Sequence, residues 1–237
     1  MTSERRSFAV PRWIAAMAGF ALGICLLAGP GVPLVPGEAA GAIGNFTRVA
    51  QPSVTPGRPV TVFLLSALYC PFCAAERWAL VDALGRFGTW SSLAPAESTS
   101  GVEGFSAIPT YNFVHARYTS RWVAFTARDV QDAQGRPLQP LAPNEAALVN
   151  RFDPDGGIPF LLIAGAFAEH GSGYSPGLLV HKSFDQVRSD LAAGAPDGAA
   201  IRHEADIVTA LICFADKDTP ATACGTPAVR TMEAQFH

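Results

Sequence analysis

The stretch Val60-Thr61-Val62-Phe63-Leu64-Leu65-Ser66-Ala67-Leu68-Tyr69-Cys70-Pro71-Phe72-Cys73-Ala74-Ala75-Glu76-Arg77-Trp78 decides the fold. Its first six residues form a continuous apolar run with β-branched members. That is the pattern of a strand covered on both faces. From Ala74 to Phe87 the apolar residues Ala75, Trp78, Ala79, Val81, Leu84 and Phe87 recur at close to helical spacing. This predicts an amphipathic helix ending near Gly85 and Gly88. Between strand and helix stands Cys70-Pro71-Phe72-Cys73.

A helix start is where a reactive cysteine gains most. The first N–H groups of a helix lack intrahelical partners and carry a positive partial charge, so a thiolate placed there is stabilised. The thiolate is the nucleophile of disulfide exchange. Pro71 has no N–H to leave unpaired and sets a helical φ. Two intervening residues bring Cys73 back under Cys70, within reach to resolve a mixed disulfide. Cys70 is thus the candidate attacking thiol and Cys73 the resolving one. The competing readings are a structural bridge, or half of a zinc site that would need a second ligand pair. Cys213 and Cys224 do not supply that pair, and the five histidines share no ligand spacing. No metal and no cofactor is expected. Tyr69, Phe72 and Trp78 read as a hydrophobic collar and core, with Phe72 placed to touch a substrate. Glu76, three residues after Cys73, reads either as a proton relay or as an acid favoured near a helix N-terminus.

Further along, Thr110–Tyr118 and Trp122–Thr126 are β-rich and read as two strands with a turn near Thr119-Ser120, after a loop over 91–107. Residues 129–157 read as an insertion holding a short helix from Glu145 to Phe152. Residues 157–168 read as a strand, a glycine turn and a return strand. Two helices are expected after that, Ser183–Ala193 with Ser183 as N-cap, and Ala199–Phe214. Cys213 and Cys224 flank a polar loop. They read as a structural bridge pinning the last helix to the tail, or as a second redox pair.

Upstream, Arg5, Arg6 and Arg12 precede an uncharged, strongly apolar segment. About 20 apolar residues are needed to span a bilayer. We expect residues 1–12 to lie in the cytoplasm, 13–36 to form a transmembrane signal-anchor, and 37–59 to form a linker. Residues 60–237 are then an extracytoplasmic domain. Cys25 reads as an apolar residue within the span. Small residues at 37–40 keep open the alternative of a cleaved signal and a secreted body. The body carries four of the five cysteines, an even number suited to an oxidising compartment. The chain is 237 residues, 49% hydrophobic and 16% charged, with net charge −3. Those values fit a folded domain, and an acidic chain without a basic run after Arg12 is not a nucleic-acid binder.

Strand, CxxC at a helix start, intervening segment, Ile158-Pro159 hairpin and closing helix together resemble the thioredoxin superfamily. The blocks TVFLLSALYCPFCAAERWALVDALGRFG, IPTYNFVHARYTSRWVAF and GIPFLLIAG and the ALIC…C tail resemble the prokaryotic family catalogued as domain of unknown function 929. The resemblance spans about residues 60–230. It implies an α/β, thioredoxin-like fold, a central mixed sheet flanked by helices, with the insertion at about 129–157 before a cis-proline hairpin. It implies a role for Cys70, Cys73 and Pro159, with Ile158-Pro159 facing the CxxC and offering backbone groups to a peptide. Ile108-Pro109 precedes a strand too, but too early in the topology. Leu64 stands where thioredoxins keep a buried Asp, so the proton acceptor for Cys73 is a departure from that pattern. The expected function is a membrane-tethered thiol–disulfide oxidoreductase acting on exported Cys-containing proteins, with a membrane thiol oxidase or reductase as partner. The alternatives are a redox-inert thioredoxin-like binding module and a dedicated electron partner of a quinone-linked membrane thiol oxidase.

Overall fold

The computed structural model describes residues 42–55 and 57–236. Strands β1 (Ala42–Ile43) and β2 (Phe46–Arg48) precede β3 (Val60–Ser66) and helix α1 (Pro71–Gly85). Strands β4 (Thr89–Ser91), β5 (Ala94–Glu97), β6 (Pro109–Asn112), β7 (Arg117–Thr119) and β8 (Val123–Asp129) follow. Helix α2 (Pro143–Phe152) leads into a hairpin of β9 (Phe160–Ile163) and β10 (Phe167–His170). Then come α3 (Phe184–Ala193), α4 (Pro196–Ala215), α5 (Ala221–Cys224) and α6 (Pro227–Glu233), so that six α-helices lie among the described residues.

The main sheet runs β1-β2-β10-β9-β3-β8, with β3 parallel to β8 and antiparallel to β9. Side chains alternate across a strand, and this divides the core in two. Val60, Val62 and Leu64 pack with Leu161 and Ile163 against Leu80 and Leu84 of α1 and Val208 and Leu211 of α4. Phe63 and Leu65 point the other way and pack with Phe160, Leu162 and Val149 of α2. The apolar run on β3 is therefore the signature of a strand between two helical layers, as its composition predicts.

Polar residues obey the same parity. Ser66 continues the face of Val62 and Leu64, and Asp129 lies opposite it in the β3–β8 register. Both face α1, where Arg77 meets them. Arg128 faces the other layer and grips Glu145 of α2 through two bonds of 2.8 Å.

Several sequence expectations need correction. Helix α1 is enclosed on nearly every side rather than amphipathic, because residues 89–119 and 174–179 wrap its outer surface. Trp78 Nε1 donates to the Pro109 carbonyl at 2.7 Å, the Thr110 hydroxyl to the Ala74 carbonyl at 2.7 Å, and the Tyr174 hydroxyl to the Ala75 carbonyl at 2.6 Å. Thr110–Tyr118 is not one strand. Asn112 Oδ1 accepts from the Val114 N–H at 2.9 Å, a local turn that ends β6 before β7 begins. Nor do β7 and β8 pair across Thr119-Ser120: β7 pairs with β4, and β8 joins the main sheet beside β3. The expected loop over 91–107 includes β5, which pairs with β6.

Residues 129–157 hold a bridge between Gln131 and Pro137 and then α2, which carries the chain from β8 to β9. Within 37–59, β2 pairs with β10 at the sheet edge. Ser183 caps α3 with Gln186 in a reciprocal pair of hydrogen bonds. Residues 13–36, including Cys25, lie outside the described residues; among the described ones no helix is long and apolar enough to cross a membrane.

Cys213 and Cys224 form a fully buried disulfide joining the end of α4 to α5, with a sequence separation of 11. Closing a loop of that size in the unfolded chain is worth about 3 kcal/mol in the chain-entropy description. The double variant Cys213→Ala/Cys224→Ala is expected to lose about that much stability in guanidinium titrations; a loss under about 1 kcal/mol would show that the bridge is not a fastening of the C-terminal helices.

Candidate functional site

Cys70 is the N-cap of α1. Its backbone is extended, Pro71 occupies the first helical turn, and the Cys70 sulfur accepts the Cys73 N–H at 3.3 Å. The sulfur thus replaces the oxygen that Ser or Asp offers at most helix starts. Across the gap the Cys70 thiol lies 3.8 Å from the Ile158 carbonyl oxygen, to which it donates. The Ile158–Pro159 peptide bond is cis, as is Thr219–Pro220; these are the cis bonds among the described residues. Ile108–Pro109 is therefore not a second such loop.

Both cysteines are free thiols, the dithiol form of the motif. Cys70 is 4% exposed and Cys73 0%. Tyr69, Phe72 and Ile158 pack around them, and Phe72 rests edge-on against Phe105 at 5.9 Å. The attacking thiol is therefore capped by apolar side chains rather than open to solvent, which the spacing of the motif alone does not disclose. The two sulfurs are driven apart in acidity. The hydrogen bond from the Cys73 thiol, helped by the N–H groups of Cys73 and Phe72 and by the charge of Arg77, outweighs burial and lowers Cys70 to about 7. Burial foremost, then the hydrogen bond to Cys70 and the charge there, push Cys73 well above an ordinary thiol.

Arg77 lies one turn beyond Cys73 and is fully buried. Its Nη2 pairs with Asp129 at 2.5 Å and donates to the Ser66 hydroxyl at 2.6 Å and the Ala67 carbonyl at 3.1 Å. The guanidinium thus ties α1 to the C-terminal ends of β3 and β8 directly behind the cysteines. No motif marks Asp129. Its parity with Ser66 in two parallel strands is the signal that could have found it.

Beside Tyr69 a cleft of about 330 Å³ is lined by Thr99, Ser100, Gln131, Ala133, Gln134 and Gly135. Tyr69 borders both the cleft and Cys70, so the cleft adjoins the thiols. Its lining mixes apolar surface with uncharged polar side chains and carries no charged one, which suits a polypeptide main chain better than a charged small molecule.

A second group of ionisable residues lies on the same helix. Glu76 makes no hydrogen bond to Cys73. Its Oε2 instead accepts the Gly173 N–H at 3.3 Å, and its carboxylate joins those of Glu169 and Glu204. The register explains the meeting. Leu64 pairs with Leu161 and Leu161 with Glu169, so Glu169 faces the α1–α4 layer. The three ligand atoms lie within 4.8 Å of one another, and all three residues are buried. Two carboxylates within 4.8 Å of each other repel, when both are charged, by at least roughly 3.5 kcal/mol at an effective dielectric of about 20. Burial, then the neighbouring charges, push Glu76 well above the carboxylate range and Glu169 up to about 11; burial raises Glu204 to about 7. Of the three, only Glu76 stands out in the sequence.

Residues 45–155 match the family model described as Domain of unknown function (DUF929), so that this segment is similar to that family. The matched segment holds Cys70, Cys73, Arg77 and Asp129. It ends just before Ile158-Pro159 and well before Glu169, Glu204 and the disulfide. No curated protein and no solved structure matches the chain.

Removing one partner of a buried ion pair leaves the other charge uncompensated, at a cost of about 3–5 kcal/mol. Asp129→Ala is therefore expected to destabilise the protein by that amount in a denaturant titration. A loss below about 1 kcal/mol would mean that Arg77 has another anchor.

Proposed function

We propose that the protein is a membrane-tethered, extracytoplasmic thiol–disulfide oxidoreductase built on a thioredoxin-like fold, with Cys70 attacking and Cys73 resolving. The order β3–α1–β8–α2–β9–β10–α4, with a parallel β3–β8 pair and an antiparallel β9–β10 hairpin, supports the fold reading. The observation that carries the function is the pairing of the Cys70 sulfur with the Cys73 N–H at the start of α1, opposite the Ile158 carbonyl. A thiol lowered to about 7 beside one raised by burial is a nucleophile beside its resolving partner. The apolar segment at 13–36, preceded by arginines, supports the tether and the export of the domain.

The chemistry follows from the dithiol. The Cys70 thiolate attacks one sulfur of a client disulfide, forming a mixed disulfide and releasing one client thiolate. Cys73 then loses its proton and attacks the Cys70 sulfur, forming Cys70–Cys73 and releasing the second client thiolate. Two electrons pass to the client; run in reverse, the same steps oxidise it. Exported Cys-containing proteins are the clients, and a membrane thiol oxidase or reductase resets the pair. Arg77, buried behind both sulfurs, favours the thiolate in each step. The cleft beside Tyr69 is the place for client main chain, which reaches Cys70 once Phe72 or Ile158 gives way.

The enclosure of Cys70 is the observation that favours the rival, a redox-inert binding module. One experiment separates them. Cys73→Ala is expected to accumulate mixed disulfides with client proteins, and Cys70→Ala is not. Equal trapping by both variants, or by neither, would contradict the assignment of roles.

A further inference from the structure

The sequence holds no sign of a metal site, because its histidines and cysteines share no ligand spacing. The glutamates tell otherwise. We propose that Glu76, Glu169 and Glu204 together hold a divalent cation of the hard, oxygen-seeking class and of calcium size, between α1, β10 and α4. Nothing in this inference requires the CPFC motif to be redox-active.

Three features point to a ligand beyond the mere presence of acids. First, the carboxylates converge from three separate elements, with their ligand atoms within 4.8 Å of one another. Second, their oxygens are orphaned inside the protein. Both oxygens of Glu169, Oε1 of Glu76 and Oε1 of Glu204 are buried with no hydrogen-bond partner, while Glu76 and Glu169 are 0% exposed and Glu204 is 1% exposed. Buried polar groups are satisfied in the great majority of cases, so four orphaned oxygens on three converging carboxylates mark a missing partner. Third, no Lys, Arg or His among the described residues forms an ion pair with any of the three, although elsewhere Asp129 and Glu145 each receive an arginine. The protein neutralises its other buried carboxylates and leaves these three facing each other.

The surroundings are shaped around the cluster. Gly173 donates its N–H to Glu76, and a Cβ on Gly173 would lie 1.8 Å from Oε2 of Glu204. The backbone thus comes against the carboxylates where no side chain fits. The donor set is all oxygen, which selects against zinc and copper and for calcium, magnesium or manganese. Size then decides. Calcium takes oxygens at about 2.3–2.6 Å and accepts bidentate carboxylates, so three glutamates supply up to six of its six to eight ligands. Atoms up to 4.8 Å apart can sit on opposite sides of such an ion. Magnesium, at about 2.0–2.1 Å and with strict octahedral geometry, needs the group to contract.

The test uses the full chain, stripped with a chelator and dialysed against Ca²⁺, Mg²⁺ or Mn²⁺, with bound metal measured by elemental analysis. Tb³⁺ luminescence sensitised by Tyr174, whose phenol feels the charges of Glu76 and Glu204, reports on the same place. The expected result is about one Ca²⁺ per chain, a Tm that rises with Ca²⁺, and a Tb³⁺ signal that Ca²⁺ displaces. Glu169→Gln and Glu204→Gln are expected to weaken Ca²⁺ binding at least about tenfold, whereas Glu97→Gln, on an exposed strand, leaves it unchanged. Each Gln keeps the side-chain volume and cannot ionise to meet a cation, so the stripped variants are expected to fold with a Tm no lower than that of the stripped wild type. Should a variant fail to fold, the Ca²⁺-dependent Tm and the Tb³⁺ signal of the wild type carry the test alone. Absence of saturable Ca²⁺ binding, with Tm and Tb³⁺ signal indifferent to it, would overturn the proposal and leave the cluster as a set of shared protons. So would binding of Mg²⁺ in preference to Ca²⁺, or Ca²⁺ binding that survives both substitutions.

Discussion

The hydrogen bond from the Cys73 N–H to the Cys70 sulfur is the interaction on which the site depends. It makes a cysteine the cap of α1, so the helix start and the nucleophile are the same atoms. Any change that lets α1 shift would separate the sulfur from the N–H groups that stabilise its charge. The structure holds α1 from every side. Arg77 ties it to the ends of β3 and β8, Trp78 and Thr110 tie it to β6, and the Tyr174 hydroxyl ties it from the far side. A charged residue in the middle of this fastening serves two ends, since the guanidinium that anchors the helix also helps to lower Cys70 and opposes the rise that burial imposes on Cys73.

Strand parity distributes the rest. In a sheet with helices on both faces, every inward polar residue must find its partner in the layer it faces. Arg128 and Asp129, adjacent in sequence, go to opposite layers and meet Glu145 and Arg77. Glu169 and His170 do the same on β10. His170 turns toward Asp153 on the α2 side at 3.3 Å, and Glu169 turns toward Glu76 and Glu204. One helix, α1, thus carries the cysteines, the buried arginine and a member of the glutamate cluster within two turns.

Much of this is legible in the amino-acid sequence. The apolar run on β3, the helix after CPFC, the Ser183 cap and the pairing of Cys213 with Cys224 rest on local signals of spacing and residue type. What the sequence hides depends on non-local register. Asp129 and Glu169 sit in strands whose composition says nothing of their partners, and Glu204 is one of three acids on the long helix α4. The short strands at 89–119 escape a reading by local pattern because they pair with each other, outside the main sheet. Wrapping by those strands also makes α1 a buried helix, although its sequence spacing suggests a single apolar face. Burial of Cys70 follows from the same wrapping and from Ile158, 88 residues away in sequence.

The central claim is that capping α1 makes Cys70 a thiolate near neutral pH while Cys73 stays protonated. Its most direct test is the pH dependence of alkylation of the reduced full-length protein by iodoacetamide, with the modified cysteine identified by fragment mass spectrometry. A thiol lowered to about 7 reacts slowly below that pH and approaches a plateau above it. The account predicts modification at Cys70, with a half-maximal rate near pH 7 and Cys73 untouched. A midpoint at or above the roughly 8.5 of a free thiol, or equal labelling of both cysteines, would contradict it.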